Sequence, residues 1–397
     1  MHAYPAPDLL VVGGGIIGAA TAYKWRQLHP NDRILLIEKE TTPAQHQTGR
    51  NSNVVHSGIY YQPGSLKALL CRTGRLQLKQ FCLTHDLPWK QTGKLIVAQN
   101  LPEAKILEQL QQRAIENGLR EPAYLTQSKL KGLEPEIQGS AGILVHETAL
   151  VDYGRITKTL LKAANAEIQT GVKVLQLRPT NDLVEVLTTH QLLFARQVVT
   201  CAGLTTVELL PAAVREQFRI LPFRGEYYYL DPAIAQNITR PIYPVPDANY
   251  PFLGVHLTPT SNHQIKVGPN AVPAGGLEFY TRGACQWGAF LNSLRFPGTK
   301  SFFTQHWRKG LQELLAAKCK SLYLKQVRRL VPRTKAGDLT PGPCGIRAQA
   351  VHVSGKLVDD FVFHQVGSLL YTINAPSPAA TAALAIADHI IERTCLS

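Results

Sequence analysis

The feature that most constrains this chain is the run "LLVVGGGIIGAATAYKWRQL" followed by "RILLIEKE", from Leu9 to Glu40. An apolar run that enters a glycine cluster and continues as a small-residue helical pattern, then a second apolar run, predicts a strand-turn-helix-strand unit. Gly13, Gly15 and Gly18 have the GxGxxG spacing, which is weak alone but gains weight in this context. The first glycine permits a tight turn, the second lets backbone approach a pyrophosphate, and the third lets helix and strand pack closely. The helix N-terminus supplies unpaired N–H donors for the anion. Glu38, twenty residues past Gly18, can accept hydrogen bonds from ribose hydroxyls and repels a 2′-phosphate. Ile17 and Lys39 fall at the same site. The alternative, a glycine-rich turn beside an exposed acid, must treat strand, glycines, helix and carboxylate as separate coincidences.

NAD and FAD both fit such a unit, and two later segments favour FAD. The turn "TCAG" (Thr200 to Gly203), with Ala202 and Gly203, ends a late strand as a second backbone approach would. "NAPSPAATAALAI" (Asn374 to Ile386), with Ser377, Pro378 and Ala379, joins small residues to a helix start suited to contact with a flavin ring.

At 397 residues the chain is long for one domain, given roughly 100–200 residues per domain. Without a low-complexity linker, a second domain is expected to be inserted rather than appended. Hydrophobic content of 45% with 18% charged residues is that of a globular protein, and no run offers the ~20 apolar residues that span a bilayer. The opening "MHAYPAPD" shows neither a basic head nor an apolar run, so the expected compartment is the cytoplasm. Seven scattered cysteines without a CxxC pair read as reduced structural thiols, and the histidines lack HExxH or similar spacing, so no metal is expected. The net charge of +14 points to an anionic partner: substrate, cofactor phosphate or membrane surface. The basic segment from Lys318 to Lys335 reads first as a solvated helix face and second as an anionic membrane contact, and nucleic acid ranks last.

Helices are expected over Pro102–Gly118, with Gly118 as its stop, from an Asp152 cap through Leu161, over about Phe303–Cys319, and over about Pro378–Ile391. "GVKVLQL", "LVEVLTT" and "LLFARQVVTCAG" read as successive strands, and the aromatic and β-branched stretch from Leu221 to Gly268 as a separate antiparallel sheet.

Segments in order along nearly the whole chain carry a family resemblance: "HQTGRNSNVVHSGIYYQPGSLKALLC", "PFRGEYYYL", "YPVPDANYPFLGVHLT", "VGPNAV", "GIRAQAV", "LVDDFVF" and "NAPSPAATAALAI". With these the chain resembles the L-2-hydroxyglutarate dehydrogenase or oxidase family, within the flavin oxidoreductases of the D-amino-acid oxidase and glycerol-3-phosphate dehydrogenase superfamily. The resemblance implies an α/β fold: a Rossmann-like FAD-binding domain from residues 1–80, 141–220 and 331–397, with an inserted, predominantly antiparallel substrate domain from 81–140 and 221–330. It also implies oxidation of L-2-hydroxyglutarate, a small dicarboxylate, to 2-oxoglutarate, with electrons passing to a quinone, another acceptor or oxygen, and room for peripheral contact at the inner membrane face. The family usually shows His and Gly where this chain has Arg50 and Asn53. Related glycerol-3-phosphate enzymes often carry arginine in the comparable place, which keeps that activity, or another 2-hydroxy or amino acid flavin oxidase, as the alternative. A non-catalytic, membrane-associated nucleotide-binding protein is the alternative of another class.

Flavin oxidation of a 2-hydroxy acid needs a base and cationic groups for carboxylates. His56 is the favoured base and His256 its competitor, since imidazole titrates near neutrality; either could instead be a buried histidine with a satisfied bond. Arg347, and less firmly Arg224, are the candidate carboxylate clamps. The competing reading of Arg347 is a salt bridge to Asp359 or Asp360. Tyr60, Tyr243 and Asn374 are candidate substrate contacts. Thr48, Gly49, Arg50, Asn51 and Ser52 are expected along the pyrophosphate and flavin edge, and by resemblance Val174 at the adenine.

Overall fold

A computed structural model of the chain describes residues 6–246 and 254–395, so part of the "YPVPDANYP" segment and the opening five residues lie outside the described residues. The first strand, β1 (Leu9–Val12), and the second, β2 (Ile34–Glu38), pair in parallel within a six-stranded sheet. Its order is Val362–Val366, Leu369–Asn374, Gln197–Thr200, β1, β2, Glu167–Thr170. Only the pairing of Val362–Val366 with Leu369–Asn374 is antiparallel. A parallel strand covered on both faces must be apolar on both, which is why "LLVV" and "ILLIE" read as continuous runs. Leu9, Val11, Ile34 and Leu36 pack against helices α1 (Ile16–Leu28), Leu66–Thr84, Tyr153–Ala164 and Ala379–Cys395. The alternate residues Leu10, Val12, Leu35 and Ile37 pack against a three-stranded antiparallel sheet, Val174–Pro179, Val184–Thr188 and Leu192–Ala195.

The second layer is a nine-stranded sheet whose spine is the long antiparallel pair Phe218–Leu230 and Leu339–His352. From that pair it runs through Ile265–Gly268, His256–Pro259, Ile242–Pro244 and Lys94–Ala98 to Ala141–Val145 and Ala123–Thr126. The expected sheet is present with one departure: Ile242–Pro244 pairs in parallel with Lys94–Ala98. Sheet membership also carries Ala141–Val145 and Leu339–His352 into this layer, past the boundaries expected at residues 141 and 331.

Helix ends follow their caps. Asp152 accepts from the Arg155 amide at 3.0 Å and starts Tyr153–Ala164. Asn100 caps Leu101–Glu116, and Gly118, at φ +70°, ends it with the Leu119 amide on the Ala114 carbonyl. The helix expected from Phe303 begins earlier, as Pro297–Lys318, because Pro297 occupies its first turn where a missing N–H costs nothing. The basic segment after it forms Lys320–Arg328, burying Tyr323, Leu324 and Val327 and leaving its lysines outward, the solvated face expected.

Candidate active site

A cavity of about 340 Å³ is lined by both layers. Gly13, Gly15, Ile17, Glu38 and Lys39 come from the strand-turn-helix unit, and Thr48, Arg50, Asn51, Ser52 and His56 from the segment after β2. Val174, Ala202, Gly203, Asn374, Ser377, Pro378 and Ala379 join them, and the nine-stranded sheet adds Tyr243, His256 and Arg347. Residues more than 300 apart in sequence therefore share one wall.

The three glycines act differently. Gly13 sits at φ +110°, and a Cβ there would lie 2.5 Å from the Cys201 carbonyl oxygen; one at Gly18 would lie 2.1 Å from the Gly13 carbonyl oxygen. Both positions are closed by backbone. At Gly15 the nearest atom is Thr48 Oγ1 at 3.4 Å, so the space beside it belongs to the cavity. Gly15 has no side chain to cap its helix; Thr48 Oγ1 accepts from the Ile16 amide at 3.0 Å, which leaves its hydroxyl proton to give, and the later first-turn amides stay available to an anion. Glu38, 8% exposed, accepts from the amides of Gly14 (2.7 Å) and Glu40 (2.9 Å) and keeps lone pairs for a ribose. These features fit a dinucleotide: the Gly15 turn and Thr48 would hold its pyrophosphate and Glu38 a ribose.

Several expected contacts are spent on the protein itself. Arg224 is 2% exposed, pairs with Glu226 at 2.8 Å, hydrogen-bonds the Ala284 carbonyl, and does not line the cavity. It neutralises a buried carboxylate rather than gripping a substrate. Tyr60 is also absent from the lining. Gly49 shapes its loop, a Cβ there lying 2.3 Å from the Ala44 carbonyl oxygen. Asn51 lines the cavity, but its amide donates to the carbonyls of Gln47 and Thr48 and accepts from the Asn53 amide at 2.7 Å. Asn374 donates to the carbonyls of Val358 and Asp360. Lys39 is held by Glu278 at 2.7 Å and by Glu40. The Glu40, His46 and Glu278 ligand atoms lie within 4.8 Å of one another, and the Lys39 ammonium pairs with both carboxylates.

The two departures at Arg50 and Asn53 separate. Asn53 has φ +59° and is not among the lining residues. Asparagine is the side chain that best tolerates this left-handed conformation after glycine, so the exchange keeps the backbone. Arg50 does line the cavity, with Nε on the Gln45 carbonyl at 3.0 Å and its guanidinium 4.2 Å over the Tyr280 ring.

Both histidines reach the site in their neutral form. Burial, with Lys94, His256 and Arg347 nearby, holds His56 down at about 3; burial, with Arg347 and Lys94, holds His256 at about 4. His56 Nε2 lies 3.4 Å from Ser377 Oγ. His256 Nδ1 donates to the Gly254 carbonyl at 3.0 Å and its ring stacks on Tyr243 with centroids 4.1 Å apart, which leaves Nε2 as its acceptor. The carboxylates offered as alternative partners for Arg347 have others: Asp359 pairs with Lys67 at 2.8 Å, and Asp360 accepts from the Leu66 amide.

A family profile described as FAD dependent oxidoreductase matches residues 8–393. The chain belongs to that family. L-2-hydroxyglutarate dehydrogenase of Escherichia coli is 40% identical over 391 residues, covering 97% of this chain and 92% of the relative. The mitochondrial L-2-hydroxyglutarate dehydrogenase of Caenorhabditis elegans is 40% identical over 401 residues, with the same coverage. Among solved structures, the L-alpha-glycerophosphate oxidase of Mycoplasma pneumoniae with FAD bound superposes with a TM-score of 0.79, covering 99% of this chain and 95% of that one at 23% identity. The cofactor of this FAD-dependent oxidoreductase is thus FAD. No helix among its described residues is long and apolar enough to cross a membrane.

Two features of this oxidoreductase carry no signal in the sequence. Lys94, 1% exposed, lies beside both histidines. A turn carrying Glu278 and Tyr280 is tied to Lys39 and His46. Lys94 opens the strand "KLIVA" as an ordinary edge lysine would, and only the fold of the neighbouring strands makes it internal.

Proposed function

We propose that the protein oxidises L-2-hydroxyglutarate to 2-oxoglutarate, with Arg347 holding the C1 carboxylate and His56 taking the hydroxyl proton. The observation that carries this reading is the convergence of Arg347, His56 and His256 on the same cavity wall as the dinucleotide loop, supported by the dicarboxylate in the names of the relatives. Segments before and after the inserted strands line this cavity together, which supports an FAD-binding layer assembled from separate stretches of the chain. The guanidinium fork of Arg347 grips a carboxylate bidentately and so fixes the direction of the C2–H bond. A base must be unprotonated when substrate arrives, and burial keeps both histidines so. His56 is the better placed, on the segment that also carries Thr48 to Ser52 and against Ser377; His256, whose Nε2 is also an acceptor, is the competing site for the same proton. FAD, when bound, accepts the hydride that leaves C2.

The electrons pass on to a quinone, another acceptor or oxygen. Peripheral contact with an anionic membrane at the cytoplasmic face fits the exposed Trp307, Leu311 and Leu315, one stripe of the helix Pro297–Lys318, beside the basic residues that follow.

Anaerobic mixing tests the reaction. L-2-hydroxyglutarate is expected to bleach the flavin band near 450 nm, as bound FAD requires, and to leave 2-oxoglutarate. Bleaching by glycerol 3-phosphate but not by the hydroxy acid would move the assignment to that substrate.

A further inference from the structure

Tyr227 lines the cavity and takes no part in the mechanism above. Along Phe218–Leu230 the side chains alternate: Phe223, Gly225 and Tyr227 face the cavity, while Arg224 and Glu226 pair with each other on the other side. Arg347 enters the same wall from the neighbouring strand, opposite Phe223. The ladder slips between Glu226 and Tyr228, so Tyr227 stands at a bulge, the kind of irregularity that re-aims a side chain beside a site. Its backbone is tied there, since its carbonyl accepts from Arg282. Its ring is packed as well: the residue is 7% exposed, and the Lys266 ammonium lies 5.8 Å over the ring. Its hydroxyl, by contrast, makes no hydrogen bond among the described residues. Tyr243 differs, because the Thr258 and Ser52 side chains stand at its hydroxyl. Burial pushes the Tyr227 phenol up to about 12 against the pull of the Arg347 charge, so at neutral pH it carries a proton to donate. A buried donor without an acceptor is costly, and a bound molecule that brings the acceptor recovers the loss.

We propose that the Tyr227 hydroxyl is a substrate contact, donating to the same C1 carboxylate that Arg347 grips. The assignment rests on the functional reading above, which sets that carboxylate at Arg347. The guanidinium and the phenol face one space from two strands and both bring protons, so a carboxylate between them accepts from each. The fork sets the plane of the carboxylate, and a further donor from another strand resists its rocking about the guanidinium. Such a bond is made to substrate and transition state alike, so its loss shows in KM more than in kcat.

The test uses FAD-loaded Tyr227→Phe, which keeps the ring and removes only the hydroxyl. KM for L-2-hydroxyglutarate is expected to rise on the order of 10-fold, with kcat within about 2-fold of wild type. L-2-hydroxyvalerate, in which a methyl group replaces the distal carboxylate, is expected to show the same rise because it keeps C1. Product binding reports the contact without turnover: the Kd of 2-oxoglutarate, titrated through its perturbation of the oxidised flavin spectrum, should rise by a similar factor. With Arg347→Lys added, the two losses should combine to less than their product, as for groups that share one carboxylate. Because the fold does not use the hydroxyl, Tm of Tyr227→Phe should equal or exceed that of wild type. A loss confined to the dicarboxylate, fully independent losses with Arg347→Lys, or a Tm lowered by several degrees overturns the assignment. Wild type that is reduced by L-2-hydroxyglutarate, beside a Tyr227→Phe with unchanged KM and Kd, removes Tyr227 alone. Wild-type flavin that stays oxidised with that acid removes the functional reading and this one with it.

Discussion

At Asn53 the backbone turns through φ +59° and its amide closes a ring onto the Asn51 side chain. A β-branched residue there cannot adopt that conformation cheaply, so Asn53→Val is expected to destabilise by about 1–2 kcal/mol while Asn53→Gly is tolerated, as thermal unfolding would register. Arg347 stands on different ground, since its side chain is asked to orient substrate. Arg347→Lys keeps the charge but loses the fork, and kcat/KM with L-2-hydroxyglutarate is expected to fall on the order of 100-fold with FAD retained. The histidines predict an acid limb. An unfolded imidazole binds a proton below about 6.5, whereas folded His56 and His256 wait until about 3 and about 4. Between those values the unfolded chain holds more protons, so stability falls as pH drops from about 6.5 toward 4, and His256→Asn flattens that slope. Calorimetric scans at stepped pH would show it. Lys94 works in the same sense at higher pH, and Lys94→Met is expected to raise Tm at pH 7, because the substitution removes an amine whose charged form burial disfavours.

Elements decide how firmly the cofactor is held. The turn that carries Glu278 and Tyr280 crosses to the nucleotide-binding layer, where Glu278 pairs with Lys39 at 2.7 Å, Tyr280 hydrogen-bonds His46 at 2.8 Å, and Arg50 lies over the Tyr280 ring. Glu278 and Lys39 both line the cavity. Releasing the tie with Glu278→Gln should accelerate FAD loss several-fold on dilution, followed by the rise in free-flavin fluorescence, with little change in kcat at saturating FAD. An unchanged release rate would make the turn irrelevant to retention. The helix at Gly15 was easier to foresee than this tie, because strand, glycines and helix are neighbours in sequence and their chemistry is local. The cap at Asp152 and the stop at Gly118 were legible for the same reason. The early start at Pro297 was not, since the apolar pattern that marks a helix core begins only at Phe302.

At the scale of the molecule, two sheets that are each interrupted along the chain meet at one cavity. The outward stripe of Trp307, Leu311 and Leu315 predicts that the protein floats with vesicles rich in anionic lipid at low salt and not with neutral ones; Leu311→Glu with Leu315→Glu should abolish flotation while anaerobic flavin reduction stays intact. The sequence alone determined the strand-glycine-helix unit and the carboxylate at Glu38, because each is signalled by residues close together: an apolar period, a glycine spacing, a cap; the layered α/β architecture came from the family resemblance. Tertiary structure decided what distance in sequence conceals. Arg224 and Arg347 look alike as isolated arginines, yet in the folded sheet Arg224 is buried against Glu226, two residues along its own strand, while Arg347 on the paired strand lines the cavity. Lys94 reads as the polar start of a strand until Tyr60 and Tyr243 close over it. Burial and pairing of a charge are properties of its neighbours in space, and those neighbours are set only when the chain has folded.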